Sequence, residues 1–443
     1  MLAILLTGIR GGFQTFPINK SWAYFSKHNT LNVAAVNSMW NFMELVFTKE
    51  EIIQNPYQYF PADEALKIVE QTHNSLIDTT TKILQNPRPN IIMIILESWS
   101  GDIIEPLGGE NNVSPGFSEL CKEGLLFTNF YSTGFRTEQC LAALISGFPS
   151  QPTTTIIRKF GKFDKLPSIV KVLSSNGYNS SYYYGGDLYF ANAESYLEFA
   201  GFDKIIGEND FEFKKRTRWG AFDEELFNFC IQDMKITQEP FFNIIMTTTS
   251  HEPFDAPVNE GFEGDDLPQL YRNTIHYTDR CLGQYITKAK EQALYENTLF
   301  IIVSDHAHKY PLNRSHNHPE RHRIPFLLYG DVLKEEFRGK ENTRVGSHID
   351  IPATILAQLD IKHETFFWSK NLFNKFKPAF AFYAFDEGFG WINERQTLVF
   401  DHKLNKVVIK KNNNIAGKDN DTYLKQGKAY LQILLQEYID FNN

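Results

Sequence analysis

The chain has 443 residues, a hydrophobic fraction of 42% and a formal net charge of −9 at neutral pH. That length allows two or three domains, or one large α/β domain with an appendage, and the apolar content is enough for a sizeable core. Negative charge without a long basic run excludes a surface built to wrap nucleic acid.

In chain order, the opening MLAILLTGI is apolar but far short of the roughly 20 residues that cross a bilayer. It has no basic region or small-residue cleavage site of a signal peptide. It reads equally as the last turns of a membrane helix or as the start of a buried one. Helical patterns follow over about 34–48 and 62–84, joined by the turn-rich NPYQYFPAD, and residues 1–87 read as a stalk or wrapping segment. The breaker QNPRPN precedes a series of apolar runs at 91–97, 125–131, 180–184, 241–247, 299–304 and 325–329. Helical patterns alternate with these runs, which predicts an α/β fold with a predominantly parallel central sheet flanked by helices over residues 88–375. DIPATILAQLDI (350–361) reads as a closing helix. Residues 376–443 change character: FAFYAF, TLVFDH and KVVIKK predict a small antiparallel unit, and 421–441 a terminal amphipathic helix.

Two of the apolar runs end in metal-ligand chemistry. IIMIILESWSG delivers Glu97 into a turn, and NTLFIIVSDHAH delivers Asp305 and His306. Unbroken apolar runs suit strands buried on both faces, and ligands collect at the carboxyl ends of such strands. In STGFRTEQCLAALISGFPS, Thr137 falls at or near a helix N-terminus, where free N–H groups and the helix dipole favour negative charge. Taken alone, Thr137 reads as a helix cap and His251 as a surface-loop histidine. Tyr182, Tyr183 and Tyr184 read as core first and as a groove lining second. The four cysteines (Cys121, Cys140, Cys230, Cys281) are widely spaced and specify no disulfide framework.

Read together, these segments resemble the alkaline phosphatase/sulfatase superfamily. PNIIMIILES looks like its opening strand, and RTEQCLAALISGFPS is similar to the sulfatase signature, whose nucleophile precedes an Ala-Ala-Leu-Leu-Thr-Gly-like helix. Aligning ALISG with that helix puts Thr137 where sulfatases carry the cysteine converted to formylglycine. Cys140 is off that position. A threonine there resembles the lipoteichoic acid synthase-type phosphoglycerol transferases. SHEPF (250–254), RWGAFDEELF (218–227), VSDHAH (303–308), HRIPFLLYG (322–330) and SHIDIPATIL (347–356) follow in family order. Two departures stand out: Ala307 replaces the usual Gly after Asp-His, and Arg218 lies on the other side of Trp219 from the family's substrate arginine.

The resemblance implies that Glu97, Thr137, Asp305 and His306 hold one divalent cation. Mn2+ is the first choice, with Mg2+ or Zn2+ as alternatives. It implies Thr137 as nucleophile, forming a phosphothreonine intermediate, and His251 as phosphate ligand or proton donor. Trp219, Arg218, His251 and His322 would contact the substrate, a phospholipid headgroup or other anionic ester. The loop holding His306, His308, His316, His318 and His322 reads either as a polar lid or as a source of second-metal ligands. Arg321 and Arg323 either pair with an anionic headgroup or solvate the loop. The implied setting is the outer face of the cytoplasmic membrane, with an anchor upstream of residue 1. A phosphodiesterase or sulfatase-type hydrolase is the alternative activity, and a non-catalytic binding protein the third reading.

Overall fold

The computed structural model describes residues 54–73, 77 and 79–441 apart from 160, 258–260 and 414–420, together with scattered positions before 54. All of the MLAILLTGI segment but Thr7, and about half of the helical pattern at 34–48, lie outside the described residues.

An eight-stranded sheet forms the centre. Its spatial order is Lys340–Asn342, Leu125–Phe127, Phe326–Tyr329, Thr298–Ser304, Asn90–Leu96, Phe241–Met246, Asn179–Tyr184, Lys204–Ile206. Only Phe326–Tyr329 runs against the others, so the sheet is mostly parallel, as the alternation of elements predicts. The central strand shows why its sequence is apolar throughout. Ile91, Met93 and Ile95 join one hydrophobic cluster, with the helices Thr137–Ser146, Ile169–Ser175 and Ile351–Gln358. Ile92, Ile94 and Leu96 join another, with Pro115–Cys121, Asp223–Met234 and Leu267–Lys290. Both faces are therefore covered, and each buried isoleucine contributes about 1.5–3 kcal/mol.

The helix Leu267–Lys290 starts on Asp266, whose side chain accepts from Gln269 N, and has proline in its first turn. Tyr271, Ile275, Leu282, Tyr285, Ile286 and Ala289 make its buried stripe. The helix Thr137–Ser146 ends at Gly147, left-handed at φ 62°, whose N–H closes onto Ala143 O.

Four antiparallel strands follow, Phe380–Phe385, Gly388–Asn393, Gln396–Asp401 and Lys406–Asn412, and then the helix Thr422–Asp440. They share the body's core: Phe380 stacks on Trp391 at 4.4 Å, and Tyr430 packs against Trp368 at 4.6 Å. Ala384 N donates to Thr133 O at 2.9 Å, which braces the loop leading to Thr137.

The helical pattern at 62–84 is shorter than expected. The helix Ala62–His73 lies on the terminal helix, and Gln432 accepts from the N–H groups of Tyr59 and Phe60. Residues 79–84 are not helical; Thr81 N bonds Phe373 O and Leu84 bridges to Leu333. No helix among the described residues is long and apolar enough to cross a membrane.

Candidate active site

At the carboxyl edge of the sheet, the two central strands end side by side. Glu97 follows Asn90–Leu96, and Asp305 and His306 follow Thr298–Ser304. Ser98 turns the first strand away in the left-handed region at φ 64°, an unfavourable conformation for serine. Three bonds hold it there. Ser98 N donates to Asp305 Oδ1 at 2.8 Å, Ser98 Oγ to Glu97 Oε1 at 2.7 Å, and Tyr271 OH to Ser98 O at 2.8 Å. Thr247 Oγ1 accepts from Glu97 N, and Ser250 Oγ donates to Glu97 O.

The helix Thr137–Ser146 points its first turn at this edge. Its N-cap is Arg136, without a side-chain capping bond, so Thr137 is not the cap but the first helical residue. The Thr137 hydroxyl lies 2.9 Å from Asp305 Oδ2 and 3.5 Å from Glu97 Oε2. His306 Nε2 lies 3.4 Å from Asp305 Oδ2 and 3.9 Å from Glu97 Oε1. Its Nδ1 faces Ala307 O at 3.2 Å; a carbonyl only accepts, so Nδ1 carries the proton and Nε2 offers its lone pair to the cluster. Ala307, in place of the family's glycine, leaves this geometry intact. Glu97, Asp305 and His306 each present a ligand atom within 4.8 Å of the others, and they are the one such group among the described residues. Burial and then the like charge of Asp305 push the Glu97 carboxyl well above its ordinary pKa. A divalent cation would relieve both causes, and a set of three oxygens and one imidazole fits Mn2+, Mg2+ or Zn2+.

His251 and Trp219 stand together beside this cluster, ring centroids 4.0 Å apart. Trp219 Nε1 and His251 Nδ1 both donate to the Glu252 carbonyl at 2.8 Å. His251 Nε2 is thereby left as the lone-pair nitrogen of the neutral ring. Burial lowers the His251 pKa, and His306 and Asp305 are among the charges acting on it. Gly220, at φ 148°, lets this turn close: a Cβ there would meet Gly185 O at 2.0 Å. Arg218 is exposed and its N–H donates to Asp255 Oδ2.

The remaining histidines of the 306–322 loop do not join the cluster. His308 accepts from Tyr310 N, packs against Phe254 and Tyr271, and burial lowers its pKa to about 2. His316 stacks on Phe135 at 4.1 Å, and His318 caps its own turn. His322, expected as a substrate contact, is fully buried. It stacks on Tyr383 at 3.8 Å, with Nε2 against His316 O and Nδ1 against Ser132 Oγ. It fastens the loop to the C-terminal sheet. Burial lowers its pKa from 6.5 to about 3. A depressed folded-state value gives stability that is complete above pH 6.5 and is lost as pH falls toward 3. His322→Phe should therefore flatten the decline in urea stability between pH 6.5 and 5.5 by about 1 kcal/mol. An unchanged slope would mean His322 protonates freely in the fold.

Tyr182 and Tyr183 are core, as first read; half-buried Tyr184 has Glu97 and Asp305 as the leading charges acting on it. The four cysteines are free, and Cys140 is buried, with Sγ 4.0 Å from His348 Nε2. Sequence reading missed two supports. Tyr271 holds the Ser98 turn, and His348 Nε2 donates to the Ser304 carbonyl at 2.8 Å, just before Asp305. Each acts across a long sequence separation, where no local pattern marks it.

The family model described as Sulfatase matches residues 89–361. Lipoteichoic acid synthase-like YvgJ from Bacillus subtilis (strain 168) is 23% identical over 297 residues, 62% of this chain and 48% of that protein. Lipoteichoic acid synthase 1 of the same strain is 26% identical over 298 residues, 60% of this chain and 45% of that one. The chain thus spans about half the length of the curated relatives it matches. Among solved structures, a protein in the alkaline phosphatase superfamily from Vibrio parahaemolyticus superposes with a TM-score of 0.73 at 22% identity, covering 87% of this chain and 97% of that one. The lipoteichoic acid synthase LtaP from Listeria monocytogenes gives 0.71 at 21%, covering 87% and 99%. These two likenesses bear out the fold.

Proposed function

Because the chain belongs to the sulfatase family, we propose that it is a metal-dependent phosphoglycerol-type transferase that cleaves a phospholipid headgroup through Thr137. The observation that carries this reading is the Thr137 hydroxyl, which is free of capping duty and held between two buried carboxylates at a helix N-terminus. Glu97, Thr137, Asp305 and His306 would hold the cation, for which Mn2+ is the first choice. When bound, it supplies Lewis-acid chemistry that lowers the hydroxyl's pKa and offsets the diester's charge.

In the first half-reaction, Thr137 Oγ1 forms a bond to phosphorus as the bond from phosphorus to the lipid glycerol oxygen breaks. The hydroxyl proton passes to Asp305 Oδ2, and the leaving alkoxide takes the Nε2 proton of the imidazolium form of His251, whose Nδ1–H stays on the Glu252 carbonyl. In the second, the acceptor hydroxyl attacks phosphorus and gives its proton to Nε2, which restores the imidazolium, while Thr137 leaves and takes back the proton held on Asp305 Oδ2. First-turn N–H groups face the developing negative charge throughout. Trp219 positions His251 through the shared Glu252 carbonyl, so Trp219→Ala should lower kcat/KM by about 10-fold, the scale of an aromatic pair plus its burial. An unaltered kcat/KM would remove Trp219 from the site.

The proposed setting is the outer face of the cytoplasmic membrane, where such headgroups are presented. Release of diacylglycerol from phosphatidylglycerol vesicles in Mn2+ buffer, with and without a sugar acceptor, tests the reading. A transferase turns over repeatedly only with the acceptor. Equal turnover without it would establish a hydrolase on the same fold, and no turnover in either case a binding protein.

A further inference from the structure

The histidine loop brings to the site one cation that the mechanism above does not use. Arg321, in the turn Pro319–His322, is 5% exposed, and its Nε and Nη1 are buried without a hydrogen-bond partner. Its neighbours are not in this state. Arg314 pairs through Nε and Nη2 with both oxygens of Asp102, at 2.6 and 2.9 Å, and Arg323 donates twice to the Thr128 carbonyl. Asp102 is therefore already paired with another arginine.

The backbone just after Arg321 is tied to both site loops: the His322 carbonyl accepts from Ser132 N, ahead of Thr137, and the Arg323 carbonyl from Gly101 N, after Glu97. Tyr271, Asp305 and Asp102 are the groups that act on Arg321. In turn, Arg321 is the leading charge acting on His308, two residues beyond the ligand His306. Tyr271, one of those groups, holds the Ser98 turn beside Glu97. Burial lowers the Arg321 pKa only to about 10, so it is charged at neutral pH. A buried guanidinium with two N–H groups left without an acceptor is costly, and its retention calls for a ligand that supplies one.

We propose that Arg321 is a substrate-binding residue whose unpartnered N–H groups hold the non-bridging oxygens of the tetrahedral oxyanion at Thr137, the phosphate being transferred. This rests on the phosphoryl-transfer reading of the site. A planar guanidinium can meet two such oxygens at once, which a lysine cannot reproduce.

The test is calorimetric titration of inorganic phosphate into the Mn2+-loaded protein, with and without Arg321→Gln or Arg321→Lys. Loss of a charged donor pair should weaken phosphate binding by about 10- to 100-fold in the Gln variant. The Lys variant should fall between. Mn2+ affinity should be unchanged, and phosphate should raise the Tm of the parent but not of the Gln variant. Phosphate affinity within twofold of the parent in Arg321→Gln would overturn the inference, as would an absent phosphate response in the parent. A Tm loss without an affinity change would leave Arg321 a structural residue and overturn it too. Diester turnover with Arg321-independent phosphate binding would fail this inference alone. Arg321-dependent phosphate binding without diester turnover would fail only the transferase reading.

Discussion

Thr137→Ala should lower headgroup turnover by about 10⁴-fold or more, the scale on which deleting a nucleophile acts when its partners work as a unit. The fold should survive. Thr137 makes no capping bond, and among the described residues its hydroxyl bonds to Asp305 and Glu97, so the stability change should stay within about 1 kcal/mol. Circular dichroism and Tm would confirm the fold, and diacylglycerol release would give the rate. Turnover within about tenfold of wild type would show that Thr137 is not the nucleophile.

Asp305→Asn should separate function from stability. In the metal-free protein Asp305 raises the Glu97 pKa, so neutralising it removes a like-charge repulsion. The substituted amide would keep an oxygen at the Oδ1 position, which accepts from Ser98 N and His306 N. The metal-free variant should therefore melt no lower than wild type. It should also lose the Mn2+-induced stabilisation, about 2.7 kcal/mol at 100 times Kd, together with about 10³-fold in rate, the worth of several kcal/mol of Lewis acidity. A variant that still gains stability from Mn2+ would remove Asp305 from the ligand set. A chelator should reproduce the rate loss in wild type, and Mn2+ should reverse it.

The strands that carry the site were legible because they are buried on both faces. Burial of that kind forces unbroken apolar sequence, and the polar residue ending each run stands out. Glu97, Asp305 and His306 could be picked for this reason, although nothing local says that 207 residues of separation between Ser98 and Asp305 close to 2.8 Å. Other elements lacked such a signal. Gly388–Asn393 is not among the three strands expected in the small antiparallel unit, and it carries two glycines. Yet a Cβ on Gly388 would meet Phe400 O, and one on Gly390 the Tyr383 ring, each at 2.0 Å. Packing there demands glycine within a strand. The edge strands Lys204–Ile206 and Lys340–Asn342 are short and partly exposed, so they show no apolar run. The helical pattern at 79–84 loses to tertiary pairing with Phe373 and Leu333. His322 misled for a related reason. A histidine in a polar loop reads as a ligand, and its stack on Tyr383, from a sheet formed much later in the chain, is invisible locally.

The central claim is that Thr137 becomes covalently linked to the headgroup phosphate. Mass spectrometry of peptides spanning Thr137, after incubation with phosphatidylglycerol vesicles and Mn2+ but no acceptor, tests it most directly. The account predicts a phosphodiester adduct on Thr137 that disappears when acceptor is added and never forms in Thr137→Ala. Turnover without any adduct at Thr137, or with an adduct on another residue, would contradict it.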